Sequence, residues 1–449
     1  MRLNTSLEKY SSWIPLVVAA LCLLECLGFM LYHHATTGWW GFYMPDTQSY
    51  IMDGFSLRPP FYPLFLKACG IKVNTDVPTM MAVTLVPVAI YVLSVAAFVR
   101  MAITTGGWLG LCLGLLYAFY PSFDIMPLEL GTESFSVSFV VLAVYLFWRM
   151  SYNPSVWLWG AFTAMMMLLL AVKPAFLFVP VSVFMVGVFV GFMREKAPLR
   201  IFSLRLVITG VFGIVCVLGY SFGVYQKWGV FTPSTVSLRN AYYEARLSGV
   251  LDLECCPDPE LKAVLQQKME ARPTIDEIDG KAWIEAIDLT NEYDHAALKR
   301  TVVESKKKHA DIWNDYFLHK LCNGLSESLV YPGTDRGEFA EYEFRAATGR
   351  FLVGIGISWW IPLIVALAML PILIGRFVAY MRNRSESQLR CMDVRSWSFA
   401  AFLTLMLLGN IVVVVFGAPY DFSRLLVPVL PVFLLLCAQL PGLKCSVNK

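Results

Sequence analysis

The segment that decides the fold is residues 14–32, IPLVVAALCLLECLGFMLY, an apolar run interrupted by one charged residue, Glu25. As a helix, a run of roughly 20 apolar residues crosses about 30 Å of hydrocarbon. The run lacks a small-residue cleavage site and continues directly into a polar loop. It is therefore predicted to be a membrane anchor and not a removed signal peptide.

Similar apolar runs recur along the whole chain, which is 57% hydrophobic and only 15% charged. Backbone polar groups cannot stay unpaired in lipid, so these runs are predicted to be helices. The composition and the runs together predict an all-α polytopic membrane protein with about ten transmembrane helices. The ten runs are 14–32, 79–99, 107–123, 133–149, 155–172, 175–193, 205–225, 350–375, 397–417 and 424–440.

Lysine and arginine in the short connections predict the orientation of these helices. If ten helices alternate from a cytoplasmic N-terminus, one side of the membrane collects Arg2, Lys9, Arg100, Arg149, Arg194, Lys196, Arg200, Arg205, Arg376, Arg382, Arg384, Arg390, Arg395, Lys444 and Lys449. That side is predicted to be the cytoplasm of a bacterium, with both termini inside. The net charge of +3 reflects this bias and gives no reason to expect nucleic acid binding.

The chain is expected to have three parts. Residues 1–225 form a transmembrane module with helices 1–7 and a first outer loop, and residues 350–449 add helices 8–10 and a cytoplasmic tail. Between them, residues 226–349 are polar and are predicted to form a small helical extracytoplasmic cap. Apolar residues recur at helical spacing in 259–271 and 294–322.

Three of the eleven cysteines, Cys255, Cys256 and Cys322, lie in this cap. If the orientation is right, they face an oxidising compartment, where a bridge from Cys322 to Cys255 or Cys256 is one interpretation. Free structural thiols are the other.

The first outer loop, 33–78, contains two proline-rich stretches, MPDTQSY at 44–50 and RPPFYP at 58–63. They predict two interfacial helices, one over 47–57 with Asp46 as its N-cap and one over 60–70 that begins at a proline. The aromatic residues of these stretches suit the headgroup layer of a membrane.

Polar residues collect on the predicted outer side. Each alone is explained as a helix cap, a turn or a lipid anchor. Together, the cations Arg58, Lys173 and Arg424 would suit a phosphate at the membrane surface. Carboxylates at the same level would serve as a general base and as orienting groups. The carboxylates are Asp46, Asp124, Glu129, Glu133 and Asp421, and the pocket is predicted to include Tyr50 and Tyr62.

The two stretches of the first loop resemble the first-loop signature of the GT-C glycosyltransferases. That superfamily uses polyprenyl- or dolichyl-phosphate sugars and includes aminoarabinose transferases and protein O-mannosyltransferases. The resemblance covers about residues 40–190 and 418–435, and it has no counterpart for 226–349. Further similar pieces follow in order, namely Pro127 with Thr132-Glu133, Lys173-Pro174, and Arg424 with Pro428 and Pro431.

The resemblance implies a GT-C fold and assigns roles. Asp46 would accept a proton from the acceptor as it attacks the anomeric carbon, in an inverting single displacement. Arg58, Lys173 and Arg424 would hold the departing polyprenyl phosphate. Glu133 would help to position the acceptor or Arg58. The chain departs from the family where Lys173 replaces a frequent arginine and where Thr47, not a second acid, follows Asp46.

The expected function is therefore transfer of a sugar from a polyprenyl phosphate to an extracytoplasmic acceptor. A glycolipid, an envelope polysaccharide or a protein would serve as the acceptor, and the scheme requires no cofactor, although a divalent metal stays open. One alternative is a transporter or flippase for an anionic lipid, which would need polar residues at mid-membrane. Another is a non-catalytic membrane protein whose acidic cap binds a partner. The sugar, the acceptor and the oligomeric state stay open.

Overall fold

A computed structural model gives the architecture of the protein. It describes residues 12–42, 50–51, 59–71, 80–193, 197–272, 281–329, 356–382, 393–418 and 422–440. Over these ranges the chain is helical, without β-strands, and has only two isolated β-bridges.

The helices fall into an apolar bundle and a polar insertion. The bundle contains α1 (Ile14–Thr37), α2 (Phe61–Ala68), α3 (Met81–Phe119), α4 (Pro121–Ile125), α5 (Glu133–Tyr152), α6 (Val156–Val172), α7 (Val179–Phe192) and α8 (Ala197–Trp228). The insertion contains α9 (Val236–Leu247), α10 (Pro259–Ala271), α11 (Lys281–Glu292), α12 (His295–Lys308) and α13 (Ala310–Ser326). The bundle resumes with α14 (Trp360–Arg382), α15 (Val394–Gly417), α16 (Phe422–Leu426) and α17 (Leu430–Gln439).

Seven described helices are long and apolar enough to cross a membrane: α1, α3, α5, the segment Pro174–Phe192, α8, α14 and α15. Two shorter apolar helices, Val156–Val172 and Arg424–Gln439, accompany them. The prediction of a helical polytopic membrane protein is confirmed at this level. The count of ten spans stays a prediction.

Helix α3 corresponds to two of the predicted spans. It breaks at Gly107, whose φ of 58° and ψ of −126° lie where a side chain would be strained. The chain reverses direction at Gly107, and contacts between the two halves show this. The hydroxyls of Ser94 and Tyr117 lie 2.8 Å apart, and the rings of Phe98 and Tyr117 are 4.4 Å apart. The two halves of α3 therefore pack against each other as a helical hairpin.

Helix α5 lies at the centre of the bundle. It packs against α3, α6 and α15, and most of its residues are buried. The ring of Phe147 stacks on Phe402 of α15 with centroids 4.1 Å apart. Because α5 is buried over most of its surface, it is a rigid support for the residues at its ends.

The insertion has an apolar core of its own. Its buried residues are Leu238, Tyr242, Ala245, Val250, Leu251, Leu261, Leu265, Ala286, Leu289, Ala297, Leu298 and Val302. The helix expected over 259–271 forms as α10, with Asp258 accepting from the N–H of Glu260 as its N-cap. The helix expected over 294–322 divides at His309 into α12 and α13.

The three cysteines of the insertion, Cys255, Cys256 and Cys322, are free thiols in this structure. The bridge that the spacing left open is therefore not formed. Cys322 is exposed on α13.

The connections that carry the predicted site meet at one end of the bundle, here named the insertion end. Helices α1, α6 and α15 end there, α5 begins there, and α13 lies against it. Of the two interfacial helices expected in the first loop, the second forms as α2 with Pro60 at its N-cap. The first, over 47–57, lies outside the described residues except for Tyr50 and Ile51, which are helical.

Candidate functional site

Glu133 is the first residue of α5 and lies at the centre of a buried cluster. Its side chain is 7% exposed. An acidic side chain in the first turn is favoured by the partial positive charge of a helix N-terminus. Glu133 Oε2 accepts a hydrogen bond from Thr132 Oγ1 at 3.0 Å, which orients the carboxylate and leaves Oε1 to face the cations.

Lys173 reaches Glu133 from the elbow between α6 and α7. The residue has an extended backbone because Pro174 follows it, and Pro174 starts the short 3₁₀ turn Pro174–Phe176. Lys173 Nζ donates to Glu133 Oε1 at 2.9 Å, and its side chain is 10% exposed. The short turn holds this ammonium group inside the protein.

Arg424 approaches the same carboxylate oxygen from α16. Its Nε lies 3.8 Å from Glu133 Oε1, and its side chain is 20% exposed. The distance allows an ion pair but is longer than a hydrogen bond. Three segments far apart in sequence thus bring two cations and one carboxylate into direct contact.

A row of aromatic hydroxyls continues from this cluster. Tyr50 OH lies 3.1 Å from Thr132 Oγ1, and the rings of Tyr50 and Tyr62 meet edge to face at 4.9 Å. Tyr62 is fully buried, and its hydroxyl finds no hydrogen-bond partner among the described residues. Burial, with smaller contributions from Tyr50 and Glu133, raises the pKa of Tyr62 well above its usual range. The hydroxyl therefore stays a neutral donor.

Glu129 lies beside the start of the first loop. Phe42 N–H donates to Leu128 O at 2.8 Å, and Leu130 N–H donates to Phe42 O at 2.9 Å, which forms a parallel bridge around Glu129. Gly41 is required for this approach, because a Cβ there would lie 2.7 Å from Thr84 Oγ1. Glu129 itself is 1% exposed.

Apart from Glu129, which is buried beside Phe42, the predicted site residues divide into two groups. The structure brings together Glu133, Lys173 and Arg424, with Tyr50 and Tyr62 linked to them through Thr132. The second group is not described: Asp46, Arg58 and Asp421 lie outside the described residues, and Asp124 is described only as part of the backbone of α4.

The pairing of Glu133 with both cations was not expected from the sequence, which had assigned it to the acceptor or to Arg58. Thr132 was also missed as the link between Tyr50 and Glu133. The sequence does place Thr132 directly before the acidic first residue of α5, and that position could have predicted a hydrogen bond to Glu133. The contact depends on tertiary packing, because Tyr50 and Thr132 lie on different segments.

The chemistry of the described cluster suits an anion. Lys173 and Arg424 carry two positive charges against the one negative charge of Glu133, in a site with little water. Lysine and arginine side chains in such an arrangement are suited to donate to phosphate oxygens. Within the described ranges, no three His, Cys, Asp or Glu side chains are grouped as metal ligands would be.

Comparison of the chain with protein-family models, with curated proteins and with solved structures finds no match.

Proposed function

We propose that the protein is a membrane glycosyltransferase of GT-C type, which moves a sugar from a polyprenyl phosphate to an acceptor. The observation that carries this proposal is the buried contact of Lys173 and Arg424 with Glu133 at the insertion end of the bundle. A cationic site at the end of a bundle of membrane-type helices suits a lipid whose phosphate lies at the membrane surface.

In the proposed reaction, a bond forms between the acceptor oxygen or nitrogen and the anomeric carbon. The bond from the anomeric carbon to the phosphate oxygen breaks, and its electron pair leaves with the polyprenyl phosphate. The acceptor proton goes to Asp46. The phosphate gains one negative charge as it departs, and Lys173 and Arg424 stabilise that charge more strongly than the charge of the bound donor.

The assignment of Asp46 as the base is supported by its neighbours along the chain. Phe42 and Tyr50 lie four residues before and after it, and both contact the segment 128–132. The separation of four residues between Asp46 and each anchor limits their distance to about 14 Å of extended chain.

We further propose that the insertion end faces away from the cytoplasm, in the inner membrane of a bacterium. Described arginines at the opposite end of the bundle, among them Arg100, Arg149 and Arg382, support this orientation. Exposed Cys322 on the insertion allows a test. A membrane-impermeant maleimide should label intact cells carrying the wild type but not the Cys322→Ser variant. Labelling that requires lysis would reverse the orientation.

The function is tested with full-length protein in detergent, a radiolabelled pool of polyprenyl-phosphate sugars and candidate acceptors. Transfer of label should be lost in Asp46→Asn while the protein stays folded. Asp315→Asn is the matched control, because the Asp315 side chain is 77% exposed on α13. Transfer that is undiminished in Asp46→Asn would refute the base assignment.

A flippase for an anionic lipid is the second candidate, and Asn410 is the observation that favours it. This residue lies within α15, is fully buried, and its amide oxygen and nitrogen have no hydrogen-bond partner in the described part of the chain. Polar groups at membrane depth mark substrate paths in transporters. Translocation of a labelled lipid phosphate across vesicles, without transfer of sugar, would favour this function over the first.

A further inference from the structure

The insertion contacts the chain at two positions shortly before Arg424, namely Gly417 and Phe422. Asn240 Nδ2 of α9 donates to Gly417 O at 2.6 Å, at the end of α15. Five residues later, Phe422, the first residue of α16, contacts α13. The position of α16 is therefore set from the insertion as well as from the bundle.

The contact with Phe422 depends on a glycine. A Cβ added to Gly324 of α13 would lie 2.6 Å from both Cγ and Cδ1 of the Phe422 ring. No real Cβ approaches an aromatic carbon so closely, so the ring occupies the space that a side chain at 324 would need. Phe422 is 1% exposed, and it has little room to move aside.

A buried ionic contact with Glu244 of α9 fixes the position of α13. Lys320, one helical turn before Gly324, donates from Nζ to Glu244 Oε1 of α9 at 2.5 Å. The same ammonium group lies 5.9 Å from the centroid of the Phe422 ring. Lys306 of α12 donates to the other oxygen of Glu244 at 2.9 Å. Three helices of the insertion are thus tied together directly behind the ring.

Helix α16 cannot fix Arg424 by itself. It has five residues, which is too short for a helix to be stable without tertiary contacts. Arg424 lies two residues after Phe422, and its Nε is 3.8 Å from Glu133. Whatever holds the ring of Phe422 therefore also determines how near the guanidinium group lies to the cluster.

We propose that Gly324 is a positioning residue, which lets α13 hold Phe422 and thereby places Arg424 for binding of a prenyl phosphate. The proposal rests on the proposed function, because the phosphate is the donor's. The insertion then acts on the donor site through its contact with Phe422. Reshaping the insertion at this contact changes the donor site through Arg424.

The first test measures equilibrium binding of radiolabelled farnesyl phosphate to the full-length protein in detergent, with farnesol as the background. Gly324→Ala should raise the Kd on the order of tenfold, the effect of losing one hydrogen bond to a charged group. Gly324→Ala combined with Phe422→Leu should return to nearly wild-type affinity, because the smaller side chain makes room for the methyl group. Gly219→Ala is the control, since a Cβ there meets no atom within 4 Å.

The second test asks whether the effect passes through Arg424. In an Arg424→Gln background, Gly324→Ala should change the Kd by less than about twofold, because the group that it displaces is already absent. An equal loss in both backgrounds, or no loss in the single variant, would overturn the proposal.

Melting temperatures measured without ligand test the positioning role of Gly324 independently of the proposed function. If Gly324→Ala already draws Arg424 away from Glu133, the shifts in melting temperature caused by Gly324→Ala and Arg424→Gln will be smaller together than their sum. Additive shifts would overturn the positioning role. If wild type binds no farnesyl phosphate, the proposed function fails, and these melting temperatures still decide the role of Gly324.

Discussion

Among the described carboxylates that face two cations, Glu244 and Glu133 do so differently. In the insertion, Glu244 uses one oxygen for Lys320 at 2.5 Å and the other for Lys306 at 2.9 Å. In the bundle, Glu133 turns a single oxygen to both cations, with Lys173 at 2.9 Å and Arg424 at 3.8 Å. In the first arrangement each ammonium group has its own carboxylate oxygen. In the second, Arg424 and Lys173 face the same oxygen, and Arg424 is the more distant of the two.

The difference separates a structural ion cluster from one suited to a ligand. Removing one partner of a buried, hydrogen-bonded ion pair destabilises a fold, because it leaves the other charge without solvent or partner. The Glu133 cluster instead turns two cations to one carboxylate oxygen, an excess of positive charge that would suit a second anion. We therefore expect variants of the Glu244 cluster to lose stability, and variants of the Glu133 cluster to lose activity.

The largest effect is expected for Arg424→Gln. It should lower sugar transfer by about 100-fold, the usual result of removing one charge-stabilising donor from an active site. The Glu133–Lys173 pair stays intact, so the melting temperature should fall measurably, but by less than in a variant of the Glu244 cluster. Transfer from a radiolabelled polyprenyl-phosphate sugar gives the rate, and Arg382→Gln, on an exposed arginine of α14, is the control. Equal losses of transfer and of stability would remove the distinction between the two clusters.

Lys320→Met should show the opposite behaviour. It leaves one oxygen of buried Glu244 without its cation, which should destabilise the protein by about 3 kcal/mol. Lys307→Met serves as the control, because Lys307 is 67% exposed and an exposed pair such as Lys307–Glu304 contributes little to stability. Thermal unfolding in detergent measures both. A melting temperature for Lys320→Met equal to that of the control would show that the Glu244 cluster has no structural role.

A smaller effect is expected at Tyr62, whose buried hydroxyl has no hydrogen-bond partner in the described part of the chain. Tyr62→Phe should weaken binding of a prenyl phosphate about tenfold and leave stability unchanged. Tyr117→Phe is the contrasting control, because the Tyr117 hydroxyl is bonded to Ser94 at 2.8 Å. That variant should lose about 1 kcal/mol of stability and no affinity. Unchanged affinity in Tyr62→Phe would exclude its hydroxyl from the ligand site.

The helices of the bundle were largely predictable, because the length and composition of each apolar run indicate a membrane-type helix. The hairpin within α3 shows how far this goes, since separate runs at 79–99 and 107–123 agree with a break at Gly107. The starts of α2 beside Pro60 and of α10 at Pro259 were also predictable, because signals at helix ends act over a few residues. The division of 294–322 at His309 was missed, since apolar spacing continues across the break.

The site was predictable only in part, for a physical reason. Polar residues at the ends of apolar runs must lie near one membrane face, and this brought Glu133, Lys173 and Arg424 to the same level. The level does not determine which of them touch. The partners of Glu133 and the fit of Phe422 on Gly324 depend on helix packing, and packing leaves no periodic trace in the sequence.

The smallest expected effect concerns pH and the joint between insertion and bundle. The His295 ring lies 4.6 Å from the Trp228 ring at the end of α8. Burial, and then the charge of Arg239, lowers the pKa of His295, while Asp294 opposes the shift. Below the ordinary histidine pKa of about 6.5, the unfolded chain therefore binds a proton that the folded protein resists. Stability is complete above that pH and falls as the pH drops through the lowered pKa.

The melting temperature of the wild type should thus be lower at about pH 5.5 than at about pH 7.5, which bracket the ordinary histidine pKa. His295→Phe keeps an aromatic ring against Trp228 but cannot take up a proton, so its melting temperature should depend less on pH. A decline of the same size in wild type and variant would assign the pH dependence to other groups. A flatter profile in the variant would locate the pH dependence at this joint, apart from both ionic clusters.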